Sequence, residues 1–164
     1  MRILGIDPGY GITGFGVIDA DRGKQSLVTC GAITTPAGMD FSARLEIIYN
    51  DMTELLRSVK PDAVAIEELF FGQNVTTGIG VAQSRGVILL AIRQAGLEVA
   101  QYKPMQVKQA LVGYGNASKH QMQEMTKRLL HLPTMPKPDD AADAIAVALC
   151  HARSSTSLIA QAQK

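Results

Sequence analysis

Residues 3–18 read Ile-Leu-Gly-Ile-Asp-Pro-Gly-Tyr-Gly-Ile-Thr-Gly-Phe-Gly-Val-Ile, and this stretch limits the fold more than any other. Ile3 to Ile6 is an apolar run too short for a helix, as expected of a buried strand. It ends in Asp7, after which Pro8 and Gly9 force a turn. A carboxylate at the end of a buried strand is costly unless something compensates it. One compensation is local, an Asp-Pro turn whose side chain bonds nearby backbone. The other is a site assembled with groups from elsewhere in the chain. The opening stretch alone does not choose between them.

The residues that follow predict a second strand over 11–20, with Ile12, Thr13, Phe15, Val17 and Ile18 as β-formers. Side chains alternate along a strand, so Gly14 and Gly16 share one face and leave bare backbone that another element can approach closely. A third strand is expected over 26–34, with Gly-Tyr-Gly and Asp-Arg-Gly turns making antiparallel hairpins. Gly9, Gly11 and Gly14 satisfy G-x-G-x-x-G, but a dinucleotide fingerprint must open a helix, and β-branched and aromatic residues follow here instead. A dinucleotide site is excluded.

Phe41, Leu45, Ile48, Met52 and Leu55 recur at helical spacing and predict a helix over 40–57, capped by Asp40 or Ser42 and stopped by Pro61-Asp62. Ala63 to Ile66 is another buried strand that runs into acid, Glu67-Glu68. A second helix over 75–95 is apolar nearly all round in its later half, so it needs covering on two sides, by the sheet and by a second subunit. A fifth short strand over 97–102 follows, then a helix from Pro104 to about Val112. Ser118 and Gln121 make a capping box for the next helix. A last helix opens at Asp139-Asp140-Ala-Ala-Asp143 and is expected to run to about Ala152. These elements make one α/β domain over 1–153, a five-stranded mixed sheet under helices, with a polar, frayed tail over 154–164.

An apolar content of 46% and a charged content of 19% fit one ordinary globular domain, and no apolar run approaches a membrane span. No basic run followed by a long apolar segment suggests a signal peptide. Cys30 and Cys150 form no paired motif and read as buried free thiols in a reducing cytoplasm. Net charge is only +1, but its distribution is uneven. From Arg85 to Lys137 eight Lys or Arg face two acids, Glu98 and Glu124, a balance of +6 that leaves −5 for the remainder. The asymmetry suggests a basic face for a polyanion beside an acidic centre.

Three separate elements thus begin or end in acid: at Asp7, at Glu67-Glu68 and at Asp139-Asp140-Asp143. Asp140 and Asp143 lie i, i+3 on one helix face, with Cβ atoms roughly 5–6 Å apart. Asp139 and Asp143 satisfy i, i+4, so spacing alone does not choose between 139 and 140. First-turn acids also suit a helix dipole without any further role. Brought together, these acids would repel one another and resist ionising, and a divalent metal is the natural counterweight. Carboxylate-only ligands suit Mg²⁺, with Mn²⁺ able to substitute, and the histidines His120, His131 and His151 do not cluster as a zinc site would require. Two hard ions per site, roughly 3.5–4 Å apart, suit in-line phosphodiester displacement: one activates water, the other stabilises the leaving oxygen.

Taken together, Leu-Gly-Ile-Asp7-Pro-Gly, Ala-Ile-Glu67-Glu-Leu-Phe70, Gln-Val-Lys108-Gln and Asp140-Ala-Ala-Asp143-Ala resemble the RuvC family of Holliday-junction resolvases, over about residues 1–152. The resemblance implies a ribonuclease-H-like fold, a five-stranded mixed β-sheet flanked by α-helices, and a homodimer with two symmetric sites. It selects Asp7, Glu67, Asp140 and Asp143 as catalytic, metal-binding carboxylates, preferring Asp140 over Asp139 and Glu67 over Glu68. It gives Phe70 a base-stacking role and places Lys108 and Lys119 near the scissile phosphate. Arg85 falls in a segment that supports DNA contact or the dimer. Asp139 and Glu68 are extra acids beside the motif. The implied activity is paired, metal-dependent nicking of two opposed strands of four-way junction DNA in recombination and repair. The implied partner is the RuvAB branch-migration complex. Competing readings are a non-catalytic junction-binding module of the same fold, a ribonuclease-H-like nuclease acting on RNA, and an actin-like phosphotransferase. The last needs a second domain, for which 164 residues leave no room.

Overall fold

The structure, a computed structural model, describes residues 1–69 and 75–162, with residues 75–76 and 156–162 described by their backbone alone. Among the described residues the chain forms β1 (Arg2–Asp7), β2 (Ile12–Asp21), β3 (Lys24–Thr34), α1 (Phe41–Val59), β4 (Ala63–Glu67), α2 (Val75–Gln94), β5 (Val99–Tyr102), α3 (Pro104–Val112), α4 (Lys119–Leu129) and α5 (Asp139–Ala162). The sheet order is β3-β2-β1-β4-β5. The first three strands form antiparallel hairpins, whereas β1, β4 and β5 run parallel. The expected five-stranded mixed sheet with helical cover is therefore the architecture observed.

Alternation along β1 and β4 divides the core. Leu4, Ile6, Val64 and Ile66 face α1 and α2, where Ile48, Met52, Ile88 and Ile92 meet them. Ile3 and Ala65 face the opposite layer, built from α5 with Val107 and Leu111 of α3 and Met122 of α4. Asp40 caps α1, accepting from the backbone N–H of Ser42 at 3.0 Å and of Ala43 at 3.3 Å. Ser118 and Gln121 form the expected capping box at α4. No helix among the described residues is long and apolar enough to cross a membrane.

Two expectations need correction. Helix α5 continues to Ala162 rather than ending near Ala152. The serines that looked like a polar tail bond back to the helix, Ser154 to the Cys150 carbonyl and Ser155 to the Ala152 carbonyl. Cys150 is buried, but Cys30, on the outer strand of the sheet, is only half-buried.

Helix α5 determines where the acids can meet. Ala144 and Ala148 are fully buried against the sheet, and the strands beneath them carry glycine. A methyl group on Gly5 would lie 2.1 Å from the Ala144 carbonyl oxygen, one on Gly14 2.0 Å from the Asp140 carbonyl oxygen, and one on Gly16 2.5 Å from Ile145 Cγ1. The helix therefore rests on strand backbone, as the shared face of Gly14 and Gly16 suggested. Gly5→Ala or Gly16→Ala is expected to destabilise the protein by about 3 kcal/mol, the upper end of ordinary overpacking. For a chain of this size that lowers Tm by roughly 6–12 °C, and a calorimetric scan showing no loss would refute the contact.

Candidate active site

Ile6 pairs with Ile66 in the parallel β1–β4 ladder, so Asp7 and Glu67 follow side by side at the carboxyl ends of adjacent strands. Both belong to the alternation that faces α5, with Ile3 and Ala65. Glu68 falls on the other parity, and its backbone N–H is bonded to the Tyr102 carbonyl at 2.8 Å. On its other side, Asp7 pairs with Gly14 of β2. Gly14 is the residue on which the Asp140 backbone rests. The strand register and the helix contact thus bring the first turn of α5 to Asp7.

The turn after Asp7 is held by other groups. The Thr13 hydroxyl donates to the Gly9 carbonyl, and the Thr35 hydroxyl donates to the Tyr10 carbonyl. Arg44 Nε donates to Thr35 Oγ1 at 2.8 Å, and the guanidinium lies 4.9 Å from the centre of the Tyr10 ring. Asp7 instead hydrogen-bonds Glu67. The local Asp-Pro compensation is not the arrangement found.

Electrostatics report the convergence. The Asp7 carboxyl is pushed up to about 8, first by desolvation, then by repulsion from Glu67, Asp143 and Asp140, and by its hydrogen bond to Glu67. Glu67 is raised by desolvation and by Asp143, against the opposing effects of its bond to Asp7 and of Lys108. Asp143 is also raised, with burial the main cause and Lys119 opposing it. The acids that act on Asp7 from α5 are Asp140 and Asp143.

A cleft of about 230 Å³ beside the acids is lined by Glu67, Lys108, Lys119 and Asp143, with Pro104, Val107, Met122 and Ala146. Lys108 comes from α3 and Lys119 from the first turn of α4. Lys119 Nζ lies 2.9 Å from Asp139 Oδ2 and 3.7 Å from Asp143 Oδ2. The larger groove between α1 and α2, about 570 Å³, is lined by no carboxylate. Arg85 stands apart from the acids: its guanidinium donates to Gln101 on β5, and its buried Nε has no partner among the described residues. Phe70 lies outside the described residues.

Sequence reasoning missed the Asp139–Lys119 pair. Asp139 already had an explanation in the helix dipole, and Lys119 lies twenty residues away across a proline-rich link. The available signal was charge complementarity between two helix starts.

The donor set fits a hard divalent cation, since mutually repelling carboxylates are relieved by positive charge and supply only oxygen. Among the described residues, no three Asp, Glu, His or Cys side chains are grouped closely enough to hold an ion as they stand. In this arrangement Asp7 and Glu67 are both raised, chiefly by burial, and the Lys119 ammonium lies 3.7 Å from Asp143.

The sign of the Asp7 shift gives a test. A carboxyl raised on folding stabilises the folded state below its unfolded value, ~3.9, and loses that contribution as pH rises towards 8. Asp7→Asn removes the titration. In the metal-free protein it is expected to raise Tm by several degrees at pH 8, with the gain vanishing near pH 4. An equal gain at both pH values, or none at pH 8, would overturn this account of the cluster.

The chain is similar to known proteins over nearly its whole length. The family model for Crossover junction endodeoxyribonuclease RuvC matches residues 3–151. Proteins of that name from Chloroflexus aurantiacus and Chloroflexus aggregans are 52% and 54% identical over 158 residues, covering 96% of this chain and 96% of each relative. The solved RuvC structure from Thermus thermophilus superposes with a TM-score of 0.89 at 36% identity, over 96% of both chains. A second structure, T. thermophilus RuvC in complex with Holliday junction substrate, gives a TM-score of 0.88 at 34% identity, again over 96% of both chains. These likenesses bear out the ribonuclease-H-like fold as well as the family. With nearly its whole length matched by the family model and by these relatives, the chain belongs to the RuvC family of crossover junction endodeoxyribonucleases.

Proposed function

We propose that this protein resolves Holliday junctions by hydrolytic nicks in two opposed strands, with Asp7, Glu67, Asp140 and Asp143 as the catalytic carboxylates. The observation that carries the reading is the mutual electrostatic perturbation of acids from β1, β4 and α5 beside two lysines. The substrate follows from the relative solved with a Holliday junction, to which this chain is 34% identical over nearly its full length. A non-catalytic binding module would have no use for buried acids that repel one another, and it would need only the basic face.

The four carboxylates would hold Mg²⁺, as two ions per site, with Mn²⁺ able to substitute. When bound, such ions activate water as the nucleophile and neutralise charge on the leaving oxygen. The protein residues orient and balance charge. Strand ends hold Asp7 and Glu67 rigidly, while α5 sets Asp140 and Asp143 against them. Lys108 and Lys119, lining the cleft, meet the anionic phosphate and draw the backbone down to the acids. Phe70, three residues beyond Glu67, stacks on an unpaired base near the junction centre. Arg85, anchored to Gln101, supports α2 beside the DNA.

A four-way junction has two-fold character, and a two-fold homodimer presents one acidic site to each of two opposed strands. Helix α2 offers the surface for it, with Ile79 54% and Leu90 51% exposed on an otherwise apolar helix. Residues 1–153 make up the nuclease domain, which acts in the cytoplasm with the RuvAB branch-migration complex as its partner.

Three measurements check this reading. Asp7→Asn should abolish Mg²⁺-dependent nicking of a synthetic four-way junction while retaining junction binding, and the wild type should cut the junction far faster than a linear duplex or an RNA–DNA hybrid. Nicking by Asp7→Asn at the wild-type rate, or preferential cleavage of the hybrid, would overturn it. Leu90→Glu should convert the protein to a monomer in sedimentation and uncouple the paired nicks. A Leu90→Glu protein that stays dimeric would remove α2 from the interface.

A further inference from the structure

Lys119 has two acidic neighbours, and they are not equivalent. Asp139 Oδ2 is 2.9 Å from its ammonium, against 3.7 Å for Asp143 Oδ2. Both members of the closer pair are exposed, Lys119 by 54% and Asp139 by 65%. Exposed pairs of this kind add little to stability, so stability does not explain the contact. Nor does the helix dipole single out Asp139, since Asp140 in the same turn already places a negative charge there.

The difference between the neighbours grows when the carboxylates hold divalent cations. With cations bound, Asp143 would be engaged by them and would hold the ammonium less strongly. Lys119 has a flexible four-carbon stem with many rotamers, so without a second anchor it would swing into solvent. Asp139 is that anchor. It is the first residue of α5, joined to Asp140, whose carbonyl packs against Gly14 so closely that a methyl group there would not fit. From the position between Asp139 and Asp143, the ammonium borders the cleft shared with Glu67 and Lys108.

We propose that Asp139 is a positioning residue that holds the Lys119 ammonium at the rim of the acidic cup, ready to donate to a non-bridging oxygen of the scissile phosphate. The proposal rests on the reading of Asp143 and its companions as the metal-binding cup. Asp139 itself binds neither ion nor DNA. It acts through Lys119.

The test is a double-mutant cycle on the full-length protein at saturating Mg²⁺, read by single-turnover cleavage of a synthetic junction. Asp139→Asn should lower the cleavage rate by about tenfold, equivalent to ~1.4 kcal/mol, with junction affinity unchanged. Asp139→Glu should recover most of the rate. In a Lys119→Met background, Asp139→Asn should have no further effect. A second readout needs no turnover: in the Mg²⁺-loaded protein, the NMR order parameter of the Lys119 ε-methylene should fall in Asp139→Asn and hold in Asp139→Glu. A wild-type rate in Asp139→Asn, the same loss with or without Lys119, or an unchanged order parameter would each overturn the proposal. Failure of the underlying cup would look different, since Asp7→Asn would then still cut.

Discussion

Helix α5 reaches the sheet because Gly5, Gly14 and Gly16 carry no side chains on the face beneath it. Any β-carbon there would collide with helix backbone or with a buried side chain, and the helix would have to lift. The consequence is electrostatic as well as steric. Gly14 is the ladder partner of Asp7 and the resting place of Asp140, so the same missing methyl group that closes the core also fixes the approach of two acids. The buried alanines of α5 complete the arrangement, since larger side chains there would hold the helix away from the strands.

That closeness has a thermodynamic cost. Burying carboxyls next to one another disfavours their ionised forms, and the raised Asp7 and Glu67 record it. The Lys119 ammonium, between Asp143 and Asp139, offsets part of the charge. Without a cation, a carboxyl raised in this way costs the folded state stability as pH climbs.

Much of this was legible in the chain, and for identifiable reasons. Short apolar runs that stop at Asp7 and Glu67 marked buried strands ending in charge, because strand burial and carboxylate solvation conflict. Gly14 and Gly16 on one face marked a close approach, because alternation is a strict rule in strands. The choice between Asp139 and Asp140 was not legible, since i, i+3 and i, i+4 both share a helix face. Only the rotation of α5 over Gly14 bears on it, and spacing does not carry that. The length of α5 was hidden by serines, whose back-bonding within the helix makes a polar run compatible with it. The attachment of Arg85 to Gln101 joins α2 to an outer strand, and no local pattern carries such a pairing.

The lysines complete the dependence on α5. Lys108 sits on α3 between the buried Val107 and Leu111, and Lys119 on α4 three residues before the buried Met122. Those apolar residues belong to the same core cluster as Ile145, Ala146 and Leu149 of α5. The short helices that carry the basic groups are therefore seated on the helix that carries Asp140 and Asp143. A displacement of α5 moves the acids and the basic rim together. Their mutual geometry survives small movements of the layer, and it is the separation from Asp7 and Glu67 on the sheet that changes. The glycine contact sets that separation, so it governs the one distance in the site that the packing of the helices on each other cannot adjust.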